Sequence, residues 1–325
     1  MTKLYHEKDA DPSLLDGAVI AVVGYGNQGR SWALNLRDSG HKVRIHTRAD
    51  EGRAQAERDG FEARELDTAG DADVICLLVP DEAIPQLPLT PRPDSLVVVA
   101  SGYALAFDRY HPQADIGLLA PRMLGPEVRE CYLDGTGFIS ALGVERDETG
   151  TAADRLLALA HGLGALRQGA IEMTAHQEAV LDLSVEQVLA PALRRVTMGF
   201  TQVMMEHGMP LEGILSELFL SGEMERTYRL LRLEGYAAQM SHHSPASQYG
   251  QLSRAKRFDP LDPVPIMREV AQEIADGSFA DEWEAELADG GENLAKLRDE
   301  ALSPEVQEFE QDLRERLGEK AVSEG

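Results

Sequence analysis

Two acidic residues stand four positions apart in the stretch "EAVLDLSVEQ" at residues 178–187. A helix would place Asp182 and Glu186 on one face, with Glu178 one turn earlier. Such a pair is either the solvated edge of a helix or a source of hard oxygen ligands, which Mg²⁺ prefers. The spacing by itself leaves both interpretations open.

A glycine pattern follows the first strongly apolar run of the chain. Gly24, Gly26 and Gly29 form G-x-G-x-x-G between the run "AVIAVVG" and a helical stretch at residues 28–39. In this context the glycines permit a tight turn and close approach of a pyrophosphate, and the helix N-terminus favours its negative charge. The pattern predicts dinucleotide binding; the alternative is a structural turn without a cofactor.

The tip of the second predicted strand bears on the choice of cofactor. An NAD-type site usually has an acidic residue there, but this chain has His46 and Thr47. Arg48 could pair with a 2′-phosphate or stack on adenine. Asp50 and Glu51 follow at once and would repel that phosphate or bind a free ribose. NADPH and NADH both remain open, as does a solvated loop.

Short apolar runs alternate with amphipathic stretches in the first half of the chain. The runs are rich in Val, Ile and Leu and occur at residues 18–24, 42–47, 73–80, 95–101, 115–121 and 137–144. This alternation predicts an α/β fold with a doubly wound parallel sheet. After about residue 150 the patterns become helical, so we expect one domain over residues 1–180 and an all-helical domain over residues 181–325.

Charge and composition exclude several classes of protein and partner. The net charge of -25 argues against nucleic acid as a partner. No apolar run is long enough for a bilayer, no N-terminal signal pattern is evident, and two cysteines cannot form a disulfide framework. We expect a soluble, cytoplasmic protein without a membrane partner.

Several motifs together resemble the ketol-acid reductoisomerases of branched-chain amino-acid synthesis. They include "GYGNQG" at residues 24–29, "LLVPDE" at 77–82, "DLSVEQ" at 182–187 and "GSFADEW" at 277–283. Their order and spacing match the short form of the family over nearly the whole chain. The resemblance implies a Rossmann domain followed by a helical domain that interlocks with its twin in a homodimer or higher homo-oligomer.

The resemblance also implies a reaction and its cofactors. In this family, Mg²⁺ ions hold a 2-hydroxy-3-keto acid, an alkyl group migrates, and NAD(P)H reduces the new ketone. The family's D-x-x-x-E pair matches Asp182 and Glu186, and its substrate-binding serine matches Ser244. The cofactor-binding segments include the remaining residues of the two nucleotide motifs, namely Tyr25, Asn27, Gln28, Pro80 and Asp81.

This chain departs from the family pattern at the second carboxylate pair. Counting from "EHG" at residues 206–208 places its first member on Glu217, with Ser221 four residues later. Counting back from "YG" at residues 249–250 places its second member on Glu223, with Phe219 as the first. One carboxylate survives in either register. We therefore expect one Mg²⁺ ion, with Glu217 or Glu223 contributing from the partner, and a doubtful second ion.

Further departures occur where substrate and nicotinamide should meet. Ser101 takes the place of a family histidine, and Arg122 replaces a lysine; Arg keeps the charge but cannot donate a proton near neutrality. His242 and His243 precede Ser244, where the family has no histidines. They are either polar surface or replacement contacts to substrate.

The sequence thus predicts an NAD(P)H-dependent oxidoreductase that reduces a small 2-keto or 2-hydroxy-3-keto acid with the help of Mg²⁺. Whether alkyl migration is retained stays open. The alternatives are a diverged reductase for another carbonyl or an imine, and a non-catalytic nucleotide-binding homologue.

Overall fold

The computed structural model describes residues 2–301 and 304–317. Its contacts divide the chain into two compact units, the first ending at Asp182 and the second beginning at Leu183.

One sheet of nine strands forms the centre of the first unit. In chain order the strands are β1 Leu4–Tyr5, β2 Val19–Val23, β3 Lys42–His46, β4 Ala63–Arg64, β5 Val74–Leu77, β6 Leu96–Val99, β7 Asp115–Pro121, β8 Ser140–Arg146 and β9 Ala170–Glu172. Their order across the sheet is β1-β9-β8-β7-β6-β5-β2-β3-β4. The helices are α1 Asn27–Asp38, α2 Glu51–Arg58, α3 Tyr103–Ala106, α4 Gly125–Leu133, α5 Ala152–Leu163 and α6 Ala175–Ser184.

Both faces of the central strands are buried. Along β2, Ile20 and Val22 belong to one apolar cluster, and Ala21 and Val23 belong to the other. Strands that pack on both faces need apolar residues at every position, which is why these runs do not alternate with polar residues. The predicted α/β Rossmann architecture is confirmed.

The sheet is parallel from β4 to β7, as predicted, and includes antiparallel pairs beyond β7 that the sequence did not indicate. Pro121 at the end of β7 pairs with Ser140 at the start of β8, and the two strands run antiparallel. The intervening helix α4 packs against α1 instead of carrying the chain back across the sheet. The chain therefore enters β8 at the same end of the sheet at which it left β7, so β8 runs antiparallel to β7.

Three strands had no recognisable pattern in the sequence. Strands β1 and β4 have two residues each and β9 has three, too few for an alternation to register. Strand β9 also contradicts the expectation that strands end near residue 150.

The described elements of the second unit are helical. They begin with a π-helical turn, Val185–Leu189, which leads into α7 Ala190–Glu206. After α8 Leu211–Leu215 comes a second π-helical turn, Ser216–Leu220. The remaining helices are α9 Glu223–Glu234, α10 Tyr236–Ser241, α11 Pro245–Ala255, α12 Val264–Ala275, α13 Ser278–Ala288, α14 Glu292–Ala301 and α15 Pro304–Leu317.

Candidate functional site

The glycine turn joins β2 to the N-terminus of α1. Gly24 has φ +93°, and its N–H donates to the carbonyl of His46 at 2.9 Å. A Cβ on Gly29 would collide with the Gly24 carbonyl, so these two glycines close the turn. A Cβ on Gly26 would meet no atom within 4 Å and would point into open space. The turn is therefore closely packed at Gly24 and Gly29 and leaves open space at Gly26.

A cavity of about 660 Å³ opens beside this turn, at the carboxyl ends of β2, β3 and β5. Open α/β sheets bind ligands in this position. Its lining comes from the glycine turn, the tip of β3 and the segment after β5: Gly24, Tyr25, Gly26, Thr47, Arg48, Asp50, Gly52, Leu66, Leu78, Val79, Pro80, Glu82, Ala83, Gln86, Leu87 and Pro88.

Three predicted cofactor contacts also hold the turn in place. The Tyr25 hydroxyl donates to Asp59 Oδ2 at 3.0 Å, and the Tyr25 ring is buried. Gln28 Nε2 donates to the carbonyl of Met123 at 3.0 Å. Asn27 begins α1, and its backbone passes so close to Gly125 that a Cβ there would collide with the Asn27 carbonyl. Gly125 is thus a supporting residue that the motif search missed.

The tip of β3 carries a mixed set of charges. His46 is buried, and its Nδ1 lies 3.0 Å from the carbonyl oxygen of Glu65, so its side chain belongs to the fold. Asp50 is the N-cap of α2, where Oδ1 accepts from the N–H of Arg53 at 3.4 Å. Arg48 is 81 % exposed, and its Nε lies 3.5 Å from Asp50 Oδ2.

A second polar group lies at the carboxyl ends of β5, β6 and β7. Ser101 Oγ donates to Asp81 Oδ2 at 3.0 Å. Arg122, just after β7, donates through Nη1 to Glu178 Oε1 and through Nη2 to Asp182 Oδ1, the latter at 2.9 Å. The structure therefore joins Arg122 and Asp182 directly and places Ser101 with Asp81.

Glu178 is the residue of this group that was not among the predicted site residues. Its side chain is 3 % exposed, and its Oε2 accepts from the N–H of Gly102 at 2.7 Å. The signal available in the sequence was its position one turn before Asp182. Residues four apart on a helix share a face, so Glu178 and Asp182 can both reach one cation, here the Arg122 guanidinium.

Burial perturbs two of these carboxyl groups. It raises the pKa of Asp81 to about 6, against the opposing effect of the Ser101 hydrogen bond. Burial also raises the pKa of Glu178, although the Gly102 N–H and the Arg122 guanidinium act in the opposite direction. Two carboxyl groups whose pKa values are raised by burial, each with a specific polar partner, are typical of a functional site.

The predicted metal ligands offer a partial set of donors. Asp182 and Glu186 are both exposed carboxylates, which suits Mg²⁺ because this ion retains several waters. One Asp182 oxygen already accepts from Arg122, which leaves its other oxygen for a cation. Within residues 2–301 and 304–317, no three His, Cys, Asp or Glu side chains cluster as a metal site. The donor chemistry fits one open Mg²⁺ site and not a closed one.

Each π-helical turn of the second unit contains a candidate ligand at its second position. Glu186 occupies this position in the first turn and Glu217 in the second. Short π-helical turns are often found at functional sites. Glu223 instead is the first residue of α9, and its N–H donates to Ser221 Oγ at 3.3 Å. This parallel favours Glu217 over Glu223 as the surviving carboxylate.

The predicted substrate contacts of the second unit have local partners. Ser244 is the N-cap of α11 and accepts from the N–H of Ser247 at 3.3 Å. His242 Nε2 lies 2.6 Å from Glu234 Oε2, and His243 Nε2 lies 3.0 Å from Gln239 Nε2.

Comparison with known proteins matches both units to one family. Residues 14–169 match the NADPH-binding domain of acetohydroxy acid isomeroreductase, and residues 176–319 match the C-terminal domain of ketol-acid reductoisomerase. The NADP(+) ketol-acid reductoisomerase of Caldivirga maquilingensis is 35% identical over 97% of this chain and 98% of its own length. This chain belongs to the ketol-acid reductoisomerase family.

Other relatives extend the comparison to structure and cofactor. An NADH-preferring ketol-acid reductoisomerase from an uncultured archaeon superimposes with a TM-score of 0.87, at 28% identity over 96% of this chain and 98% of its own. The relative from Metallosphaera sedula, named for NAD(P)(+), is 31% identical over 98% of this chain and 96% of its own.

Family membership makes the chain an NAD(P)H-dependent oxidoreductase, as predicted. These findings support that reading and not the alternatives of a reductase for another substrate class or a non-catalytic homologue. None of the helices in the described ranges is long and apolar enough to cross a bilayer.

Proposed function

We propose that this ketol-acid reductoisomerase family member reduces a small 2-keto or 2-hydroxy-3-keto acid with hydride from NAD(P)H. The observation that carries the proposal is the polar group formed by Asp81, Ser101, Arg122, Glu178 and Asp182. It lies at the same edge of the sheet as the cavity beside the glycine turn, where a dinucleotide would bind.

The reduction requires a proton for the oxygen that gains negative charge. Arg122 remains protonated near neutrality and cannot supply it. Asp81 can hold a proton because its pKa is raised to about 6, and Ser101 Oγ is hydrogen-bonded to it. We assign Asp81 as the proton store: when protonated it donates to Ser101 Oγ, and the Ser101 hydroxyl passes its own proton to the substrate oxygen. This leaves Asp81 ionised, with Ser101 donating to it as in the structure. A general acid works best when its pKa lies near the operating pH.

Arg122 neutralises charge at this site. Its guanidinium bridges Glu178 and Asp182, two carboxylates that would otherwise repel each other and an acidic substrate. The planar fork suits this bidentate arrangement better than a lysine ammonium would. Its charge also attracts the carboxylate of the substrate, which Ser244 helps to hold in this proposal.

Mg²⁺ is the proposed metal, held by Asp182 and Glu186, with Glu217 of a second copy contributing. When bound, it polarises the carbonyl that accepts the hydride. Asp182 and Glu186 are exposed enough to accept a hydrated ion. The surviving carboxylates support one ion better than two.

A homodimer is part of the proposal. From the end of the first π-helical turn along α7, the apolar residues Leu189, Leu193, Val196, Phe200 and Val203 are each 43–56% exposed in the single chain. Their spacing of four and three residues forms one stripe, which is typical of a helix that packs against another helix. The cytoplasmic location remains a prediction, in keeping with two free cysteines.

The assay of purified protein compares 2-acetolactate with its 3-hydroxy-3-methyl-2-keto isomer, using NADH and NADPH with Mg²⁺. We expect reduction of the isomer to exceed turnover of 2-acetolactate by about tenfold or more. Alkyl migration makes the harder electrostatic demand, and the second carboxylate pair is incomplete. Absence of reduction of either acid with both cofactors would contradict the proposal.

Removal of the metal and of its ligand should have the same effect. EDTA and Asp182→Asn should each reduce turnover by about 100-fold or more, because a polarising ion contributes several kcal/mol to a transition state. Glu206→Gln, which removes another exposed helix carboxylate, is the matched control and should retain activity. The thermal unfolding midpoints of the unmodified protein, Asp182→Asn and Glu206→Gln should agree within a few degrees. Unchanged reduction after both treatments would show that the pair is only a helix edge.

A further inference from the structure

The ribose end of the cavity has an unusual balance of charge for a site that binds a 2′-phosphate. Among the described residues that line the 660 Å³ cavity, Arg48 is the one cation, and it is opposed by Asp50 and Glu82. A neighbouring cavity of about 360 Å³ shares Arg48 and adds the carboxylates of Glu65 and Asp67. Each cavity therefore has one positive and two negative side chains.

Arg48 lies beside an anion that offsets part of its positive charge. Its Nε lies 3.5 Å from Asp50 Oδ2, and its side chain is otherwise largely in water. The nearby Arg53 cannot substitute for it. Its guanidinium donates to Glu65 Oε1 and to the carbonyl of Thr47, both at 2.8 Å. A 2′-phosphate would thus meet one arginine that is hydrogen-bonded elsewhere and one whose charge is partly offset by Asp50.

The N-terminus of α2 is already occupied by a carboxylate. Free N–H groups at the start of a helix commonly bind a phosphate. Here Asp50 is the N-cap, with Oδ1 accepting from the N–H of Arg53. Asp50 also follows Gly29 by 21 residues, close to the spacing at which an acidic side chain binds the ribose hydroxyls of NAD.

We infer that the enzyme is selective for NADH over NADPH, and that Asp50 is the residue that enforces this choice. Its carboxylate accepts hydrogen bonds from the 2′- and 3′-hydroxyls of the adenosine ribose and repels a 2′-phosphate. The inference rests on the proposed use of this cavity for a nicotinamide dinucleotide. It also resolves the ambiguity of "HTRADEG", where Arg48 and Asp50 pointed to opposite cofactors.

Equilibrium titration tests the inference without turnover, metal or keto acid. Binding of NADH and NADPH to the full-length protein is followed by nicotinamide fluorescence and calorimetry. We expect NADH to bind at least about tenfold more tightly, because the 2′-phosphate adds close to two negative charges near Asp50. Equal affinities, or tighter binding of NADPH, would overturn the inference.

Asp50→Asn isolates the charge from the helix cap, since Asn is also a good N-cap residue. The variant should weaken NADH binding and strengthen NADPH binding, so that the affinity ratio changes by about tenfold or more. Glu51→Gln is the matched control: Glu51 is the adjacent exposed carboxylate, does not line the cavity and pairs with Arg58. Its ratio should stay within about twofold of the unmodified protein.

The outcomes separate the inference from the proposed function. Equal shifts in the two variants would assign the effect to the general charge of the loop and overturn the role of Asp50. Arg48→Gln should leave NADH affinity nearly unchanged; a selective loss of NADPH binding from a tight starting value would support a phosphate site instead. If neither cofactor binds to the folded protein, the proposed nicotinamide site itself fails.

Discussion

Two residues that the family resemblance marks as departures, Ser101 after β6 and Arg122 after β7, form a defined arrangement. Ser101 stands in a histidine position and is hydrogen-bonded to Asp81, while Arg122 stands in a lysine position and bridges Glu178 and Asp182. These substitutions exchange two groups that can transfer protons for one hydroxyl and one permanent charge. Under the proposed function, the carboxyl group of Asp81, whose pKa is raised to about 6, holds the proton instead.

Asp81→Asn should make the protein more stable at neutral pH. Burial raises the pKa of Asp81 from 3.8 to about 6, so the folded state binds this proton more tightly than the unfolded state does. Stability from this group is therefore complete below about pH 4 and is lost as pH rises to about 6. The variant avoids this loss and should gain at most about 3 kcal/mol at pH 7, less in practice because the carboxyl group is partly exposed.

Urea unfolding at pH 4 and pH 7 measures this difference. Glu130→Gln, which changes an exposed carboxylate that does not act on the pKa of Asp81, should leave the pH dependence unaltered. If Asp81→Asn stabilises the protein equally at both pH values, the ionisation of Asp81 is not the cause of the gain. Reduction of substrate by Asp81→Asn should fall, since Asn cannot store the proton.

At the scale of elements, the turn between β2 and α1 contains glycines that close packing requires and one glycine that leaves open space. Gly24 and Gly29 approach backbone atoms so closely that a side chain would break the turn, whereas Gly26 faces open space. Gln28 and Asn27 connect the same turn to the segment after β7. The turn is thereby held rigid beneath the proposed pyrophosphate position.

Gly26→Val should remove cofactor binding without unfolding the protein. A Cβ on Gly26 meets no protein atom within 4 Å, so the valine side chain would extend into the space that a pyrophosphate requires. Fluorescence titration should show a loss of at least about 100-fold in NADH affinity, equivalent to roughly 3 kcal/mol. Gly213→Ala in α8, where an added Cβ would make only ordinary contacts, is a control for glycine replacement and should bind normally. Wild-type affinity in folded Gly26→Val would refute the Rossmann assignment of this cavity.

The whole molecule leaves much apolar surface uncovered in the helical unit. The stripe on α7 from Leu189 to Val203 is the most regular part of it. Exposed apolar patches of this size and regularity mark interfaces between proteins. A second copy of the chain is the partner that the family assignment suggests.

Sedimentation velocity should show at least a dimer at micromolar concentration. Leu193→Glu places a charge in the stripe and should shift the protein towards monomer, with loss of activity, because an interface strongly disfavours an unpaired charge. Arg194→Glu changes the adjacent exposed residue and should leave the assembly intact. A fully active wild-type monomer would exclude a site shared between copies.

The sequence alone determined the fold class, the glycine turn and the family. These features depend on local patterns: fully apolar strands, glycines at fixed spacing and motifs in a fixed order. The same patterns predicted that Asp182 and Glu186 share a helix face, since residues four apart on a helix are neighbours wherever the helix lies. Their role as metal ligands comes from the family resemblance and stays a prediction.

Tertiary structure decided what depends on residues distant in the chain. The antiparallel pairing of β8 follows from the packing of α4 on α1, which no local pattern specifies. Arg122 meets Glu178 and Asp182 across 56 and 60 residues of sequence, and Ser101 meets Asp81 across 20. The proton affinities of Asp81 and Glu178 likewise arise from burial, which is a property of the folded surroundings and not of either residue's neighbours in the chain.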